Sequence, residues 1–109
     1  MPSDRMRRIN EVVREVVVDA IADLSDPRIG FVTVTAVETS PDLRSARVHV
    51  SVLGDETKLE ESLAGLRSAH AVIQGHLARE TRMKRTPRLS FHHDDSIEKG
   101  VRISRLLES

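Results

Sequence analysis

Two histidines and two aspartates stand side by side near the end of the chain, at His92, His93, Asp94 and Asp95. Imidazole nitrogens and carboxylate oxygens are zinc ligands, so the cluster raises the hypothesis of a metal-dependent hydrolase that uses His92 and Asp94. Neighbouring strand residues point to opposite faces, so His92 and His93 cannot bind one ion together. His49 is a third ligand only if strand pairing brings it close. Because zinc sites usually take three or four protein ligands, we expect a structural role and no metal.

Other familiar catalytic patterns are missing. The chain contains neither a G-x-x-x-x-G-K-[ST] phosphate-binding loop nor a G-x-S-x-G nucleophile elbow. It has no cysteine, which excludes thiolate catalysis and disulfide bonds. Asp19 and Asp23 lie one helical turn apart, a spacing that is common on solvent-exposed helix faces. We therefore expect a protein that is not an enzyme, that needs no cofactor and that has no small-molecule substrate.

The composition is that of a small soluble domain with an aliphatic core. Of the 109 residues, 39% are hydrophobic and 31% are charged, so we expect one domain that spans residues 1–109. Only 2% are aromatic, which leaves almost no side chains for stacking on nucleic-acid bases. The first residues lack an apolar stretch of signal-peptide length, and no run approaches the roughly 18 apolar residues of a membrane span. These features predict a cytoplasmic protein without a membrane partner.

The first element that the pattern predicts is a long helix over residues 4–24. Apolar side chains recur there every three or four residues, from Met6 to Leu24, with charged side chains between them. Ser3 is a suitable N-cap residue. The Asp26-Pro27 pair ends the helix, because proline disfavours helical geometry in the residue before it.

Two strands are predicted next. Residues 31–39 are rich in β-branched residues and alternate, which places Val32, Val34 and Ala36 on one side. Residues 46–52 alternate apolar and polar side chains, as a half-buried strand does. The connection between them has the composition of a turn, and so short a connection favours an antiparallel pair.

The second half of the chain predicts a long helical region and a third strand. No proline interrupts residues 56–83, so we expect one long helix or two abutting helices. Pro87 ends this region, and residues 88–93 alternate as a short strand. For the tail, residues 95–109, we expect either a short terminal helix or a flexible segment. Three strands with helices on one face make a compact α+β domain.

The charges are unevenly placed although the net charge is zero. Residues 67–88 contain six lysines and arginines and one acidic residue, Glu80. Cations at this density suit the phosphate backbone of a nucleic acid, and the alternative is a solvated helix face whose C-terminal cations the helix dipole favours. Residues 55–61 are acidic instead, which suggests a protein-binding edge.

Three stretches of the sequence carry a family resemblance. The first runs from Leu24 to Thr39 and contains Asp26-Pro27-Arg28 and the alternating Val-Thr repeat. The second begins at Ser40-Pro41-Asp42-Leu43 and continues into the next strand, and the third covers residues 87–103. In their order and spacing these stretches resemble the ribosome-binding factor A family of bacterial small-subunit assembly factors.

The resemblance implies a KH type II-like domain with the order α-β-β-(α-kink-α)-β. KH domains ordinarily clamp a nucleic-acid backbone with a G-x-x-G loop between two helices, and this sequence contains no G-x-x-G. The family is similar to KH proteins but has a helix–kink–helix built on Ala-x-Gly. The matching residues here are Ala69, His70 and Ala71, so alanine stands where the family has glycine. Gln74 stands where family members often carry an arginine.

The resemblance also implies the function and the partners. It implies a non-catalytic, monomeric factor that binds the free small (30S) ribosomal subunit and its rRNA and assists late maturation and 5′-end rRNA processing, especially in the cold. The expected RNA-binding residues are Arg67, His70, Gln74, Arg79, Arg82, Lys84 and Arg85, with Arg5, Arg7 and Arg8 as weaker candidates. The alternative functions are a KH-like protein–protein adaptor without RNA contact and the hydrolase considered above.

Overall fold

The computed structural model describes residues 3–96 and 106–107. Its helices and strands follow one another in the predicted order. They are α1 (Asp4–Ala22), β1 (Val32–Thr39), β2 (Ser45–Val52), α2 (Glu56–Ser68), α3 (His70–Glu80) and β3 (Arg88–His93). The predicted α+β class is therefore confirmed. Most of the predicted tail helix lies outside the described residues. In the part of the chain that is described, no helix is both long enough and apolar enough to cross a membrane.

Helix α1 begins where the sequence predicts. The Ser3 hydroxyl accepts a hydrogen bond from the Met6 backbone N–H at 3.2 Å, which satisfies one of the free N–H groups of the first turn. Val13, Val17 and Ala20 recur at helical spacing and are fully buried. Burial of this face explains why a valine-rich segment is helical, because tertiary packing overrides the strand preference of β-branched residues.

The three strands form one mixed sheet in the order β1-β2-β3. Strands β1 and β2 are antiparallel, as the short turn between them predicts. Strands β2 and β3 are parallel. Parallel strands need a long crossover connection, and α2 and α3 provide it. Strands β1 and β3 are therefore the two edge strands of the sheet.

A β-bulge in β1 corrects one detail of the predicted alternation. The register shifts between Val34 and Ala36, so Thr35 is an extra residue on this strand. After the bulge the buried positions are Val37 and Thr39, and Ala36 is only half-buried. The prediction that Ala36 shares the buried side with Val34 is thus wrong. The alternation gave no sign of the bulge, because every residue around it is compatible with a strand.

The core lies between one face of the sheet and the three helices. The helices contribute Leu66, Ile73 and Leu77, which are fully buried, and the sheet contributes Val48 and Phe91, among others. These side chains belong to one continuous cluster. The opposite face of the sheet carries mostly polar side chains. The predicted arrangement, with helices on one face, is what the burial pattern shows.

The outer edge of β1 is bonded to side chains of α1. The Asn10 side-chain oxygen accepts a hydrogen bond from the Thr39 backbone N–H at 2.9 Å. The Arg14 guanidinium donates to the Val34 carbonyl oxygen at 3.3 Å. Because Asn10 and Arg14 lie one helical turn apart, one row of α1 meets two points along the strand.

Two helical glycines provide a matched stability test. A Cβ at Gly65 would lie 2.6 Å from Ile29 Cγ1, which is inside the contact distance of two carbons. A Cβ at Gly75 would lie 3.1 Å from Nη1 of Arg79, the mobile end of a long side chain. We expect Gly65→Ala to destabilise the protein by about 1–3 kcal/mol, as overpacking does. Gly75→Ala should be neutral or stabilise it by up to about 1 kcal/mol. Chemical denaturation measures both, and equal effects of the two changes would contradict this assignment.

Candidate nucleic-acid interface

The two helices of the crossover meet at Ala69. Helix α2 ends at Ser68 and α3 begins at His70, and the backbone of Ala69 between them has φ −86° and ψ 7°. This conformation is open to any L-residue, so the break forms here without glycine. Ala71 is the second residue of α3 and is exposed. The residues that the resemblance assigned to a kink therefore surround an actual interruption between two helices.

Gln74 bridges α3 to the outer edge of β3. Its side-chain amide donates to the Pro87 carbonyl oxygen at 2.8 Å and accepts from the Leu89 backbone N–H at 3.0 Å. An amide group offers a donor and an acceptor side by side, which matches the pattern that a neighbouring strand would present. Gln74 thus replaces a missing strand at this point of the sheet.

Arg67 and His70 continue the same contact along β3. The Arg67 guanidinium donates to the Phe91 carbonyl oxygen at 3.1 Å, and Nε2 of His70 donates to the Leu89 carbonyl oxygen at 2.9 Å. Together with Gln74 they form what we call the β3 clamp: Arg67, His70 and Gln74. The structure therefore engages three of the seven predicted RNA-binding side chains in bonds to the protein backbone. Sequence reasoning missed this because the bonds depend on where β3 lies beside α2 and α3.

The other four predicted residues remain directed to solvent. We call them the basic face: Arg79, Arg82, Lys84 and Arg85. All four are exposed, and none forms an ion pair within residues 3–96. Arg79 lies in the last turn of α3 and the other three follow that helix, where the negative end of the helix dipole stabilises cations. Unpaired, exposed cations retain their full capacity to bind a phosphate group.

The fold extends the basic face with cations from the first helix. Arg5 and Arg8 of α1 line the same surface cavity as Lys84 and Arg85. Arg7 does not line this cavity. The sequence suggested these N-terminal arginines only as weaker candidates, because no local pattern shows that the start of α1 lies beside the segment that follows α3.

The first residue of the acidic segment 55–61 caps a helix. The Asp55 carboxylate is the N-cap of α2 and accepts a hydrogen bond from the Lys58 backbone N–H at 2.9 Å. Lys58 also lies 3.9 Å from the Glu61 carboxylate. Capping thus accounts for Asp55 without any protein partner.

The histidine and aspartate residues that suggested a metal site are divided between the two sides of the sheet. His92 lies on the open face beside His49, whereas His93 and Asp95 line a cavity at the start of α2. His49 and His92 are register partners on β2 and β3, and their ring centroids are 5.9 Å apart. Nε2 of His92 is 2.7 Å from the Ser90 hydroxyl. Burial lowers the pKa of His92, and the neighbouring His49 lowers it further. Within the described residues, no group of three or more His, Cys, Asp or Glu side chains is placed to hold a metal ion.

Asp94 binds across the sheet rather than to a histidine. Its carboxylate accepts a hydrogen bond of 2.6 Å from the Thr35 hydroxyl and another from the Ser96 backbone N–H at 2.9 Å. These bonds, with that of Thr35 first, lower the pKa of Asp94 to about 2. The bulge at Thr35 and the end of β3 are therefore held together by one carboxylate.

The Thr35–Asp94 bond predicts a specific pH dependence. A carboxyl group whose pKa is depressed in the folded state adds stability above its unfolded value of 3.8, and that stability is lost as pH falls toward about 2. In Thr35→Val we expect the Asp94 pKa to rise toward its ordinary value and the stability difference from wild type to shrink over that window. NMR titration of the carboxyl carbon and unfolding at several pH values measure this. An unchanged pKa in the variant would show that Thr35 is not the cause.

Comparison with known proteins places this geometry in a family. The sequence model of ribosome-binding factor A matches residues 5–107. A ribosome-binding factor A of Halothermothrix orenii is 42% identical over 109 residues, which are 99% of this chain and 89% of the relative. The solution NMR structure of a Thermotoga maritima protein assigned to the same family superimposes with a TM-score of 0.78 at 31% identity, covering 90% of this chain and 94% of the other.

A third relative is known in the context of its target. It is a homology model of the Thermus thermophilus ribosome-binding factor A that was fitted into an electron cryo-microscopy map of a 30S–ribosome-binding factor A complex. It has a TM-score of 0.63 at 29% identity, with coverage of 87% of this chain and 97% of that one. The fold and the basic face together define the class of this protein: it is a small α+β domain with an exposed cationic surface. The chain belongs to the ribosome-binding factor A family.

Proposed function

We propose that this protein binds the free small ribosomal subunit and acts there as a non-catalytic assembly factor. The observation that carries the proposal is the basic face on a member of the ribosome-binding factor A family. The relative from Thermus thermophilus, which was fitted into a map of a 30S complex, supports the choice of partner.

The seven residues expected at the RNA surface divide into two roles in this proposal. Arg79, Arg82, Lys84 and Arg85 contact rRNA phosphates, because their charged groups are exposed and unpaired within the described residues. The β3 clamp fixes α2 and α3 on the sheet and so sets where those cations stand. Arg67 and His70 keep charged or polar atoms near the surface, and they add to RNA binding from the neighbouring side.

Binding rather than bond chemistry is the proposed mode of action. A protein that binds one arrangement of the rRNA more tightly than the alternatives shifts the population toward that arrangement. This mechanism needs no catalytic residue and no cofactor. This mode of action suits a cytoplasmic, monomeric factor that assists late maturation of the subunit and 5′-end processing of its rRNA by other enzymes. Such a factor is most useful in the cold, where rRNA escapes slowly from misfolded arrangements.

Co-sedimentation tests the proposal directly. The purified protein is centrifuged with isolated small subunits and, separately, with isolated large subunits at low and moderate salt. We expect selective comigration with small subunits that weakens as salt rises, because phosphate contacts release counterions. Absence of comigration with small subunits would contradict the proposal and leave the protein–protein adaptor, with the acidic segment 55–61 as its edge, as the better function.

A further inference from the structure

A surface cavity of about 640 Å³ lies between the start of α1, the β1–β2 turn and the segment after α3. Ile9, Leu43 and Met83 line it with aliphatic side chains, one from each of these three segments. All three side chains are half-buried, and Ile9 and Met83 also pack against the core. The cavity therefore has an apolar floor that is held in place by the fold.

Four cations surround this floor. Arg5 and Arg8 approach from α1, and Lys84 and Arg85 approach from the opposite side. All four are exposed and without an ion-pair partner in the described part of the chain. An apolar floor inside a cationic rim is complementary to a ligand with a flat, poorly hydrated body and anionic groups on either side of it.

Two carboxylates also line the cavity, and each also has a structural role. Asp42 accepts hydrogen bonds from the Ser40 hydroxyl at 2.6 Å and from the Arg44 backbone N–H at 3.0 Å, which lower its pKa. Asp4 lies in the first turn of α1, where the helix dipole favours a negative charge. The rim therefore remains positive overall, with four cations against two anions.

We propose that this cavity receives one unpaired base of the RNA that the basic face binds, with the flanking phosphates on Arg5, Arg8, Lys84 and Arg85. The inference rests on the proposed function and adds the class of RNA feature that is recognised. Proteins that read RNA usually stack splayed-out bases on aromatic side chains or on guanidinium planes, because paired bases are hidden in the helix. The volume is within the usual range of small-ligand sites. The aliphatic floor takes the place of the aromatic side chains that this sequence lacks.

Leu43 offers a clean way to remove the floor. It has a positive φ of 60° and is the one non-glycine residue with this geometry in the described chain. Asparagine adopts this conformation more readily than leucine, so Leu43→Asn removes apolar surface from the cavity without adding backbone strain. Leu53→Asn is the matched control, because Leu53 is 74% exposed and lies outside the cavity.

The test compares two fluorescent RNA hairpins that differ by one unpaired nucleotide in the stem. Fluorescence anisotropy with the full chain should show about tenfold tighter binding of the bulged hairpin, which corresponds to about 1.4 kcal/mol from burying one base on the aliphatic floor. Leu43→Asn should lose this preference and keep its affinity for the fully paired hairpin, whereas Leu53→Asn should behave as wild type. Leu43→Asn should also weaken comigration with small subunits by about the same factor.

The outcomes separate the inference from the proposed function. Selective comigration with small subunits, together with equal behaviour of Leu43→Asn and Leu53→Asn in both assays, would overturn the base pocket and leave the proposed function intact. If the wild-type protein bound neither small subunits nor the hairpins, both the base pocket and the proposed function would be overturned.

Discussion

Replacing Arg82, Lys84 and Arg85 together by glutamate is expected to abolish binding to small ribosomal subunits while the protein remains folded. The three side chains are exposed and belong to the basic face, so the substitutions leave the core untouched. Hydrogen bonds to a charged partner contribute about 1.5–3 kcal/mol each, so the loss of three of them weakens binding by at least about 4 kcal/mol, or roughly a thousandfold. Repulsion between the new carboxylates and the phosphates adds to the loss.

An equal change of net charge elsewhere on the surface is the control. Arg44→Glu, Arg47→Glu and Lys58→Glu alter three cations that lie off the basic face and outside the cavity beside it. Glutamate at position 58 also suits the third position of α2 after the Asp55 N-cap. Co-sedimentation at several salt concentrations distinguishes the two triple variants. If both lost binding equally, overall charge rather than the basic face would explain the interaction.

Gln74→Ala is expected to destabilise the folded protein by about 2–4 kcal/mol. The change leaves the Leu89 N–H and the Pro87 carbonyl oxygen without their partner, and each unsatisfied buried polar group costs about 1–3 kcal/mol. Leu89 and Pro87 are buried, so water replaces the amide poorly. Denaturant unfolding in the absence of RNA measures the loss.

Arg79→Ala is the appropriate comparison on the same helix. Arg79 is exposed and bonds to no backbone group of β3 in the described chain, so we expect a stability change within about 0.5 kcal/mol. It should instead weaken binding to small subunits. If the free energy of unfolding of Gln74→Ala equalled that of the wild type, the β3 clamp would add little to stability. Gln74 would then be available to bind RNA, as the resemblance suggested.

The order and the approximate bounds of the elements were predictable because they depend on local patterns, although α1 ends at Ala22 rather than at residue 24 and α3 at Glu80 rather than at residue 83. The 3.6-residue periodicity of α1 and the alternation of β2 each come from burying one face of a single element. The N-cap at Ser3 and the strand over residues 88–93 were found in the same way, and the structure reproduces them. The break at Ala69 came from the family resemblance, since the helical stripe itself runs through it without interruption.

The features that the sequence did not reveal all depend on contacts between distant segments. The bulge at Thr35 needs the register against β2, and the role of Gln74 needs the position of β3. The four cations of the cavity come from segments about 75 residues apart, and only the packed fold brings them together. The composition of residues 67–88 indicated a basic surface. It did not show which of these side chains bond to the backbone of β3 and which remain exposed.

Both outer strands of the sheet have backbone groups that are bonded to helix side chains. Asn10 and Arg14 form hydrogen bonds with the backbone of β1, and the β3 clamp forms hydrogen bonds with the backbone of β3. Free strand edges recruit strands from other molecules and lead to fibrils and other insoluble assemblies. The side chains that bond these edges thus also oppose self-association through the strand edges. This matters for a chain whose sequence is aliphatic and rich in strand-forming residues.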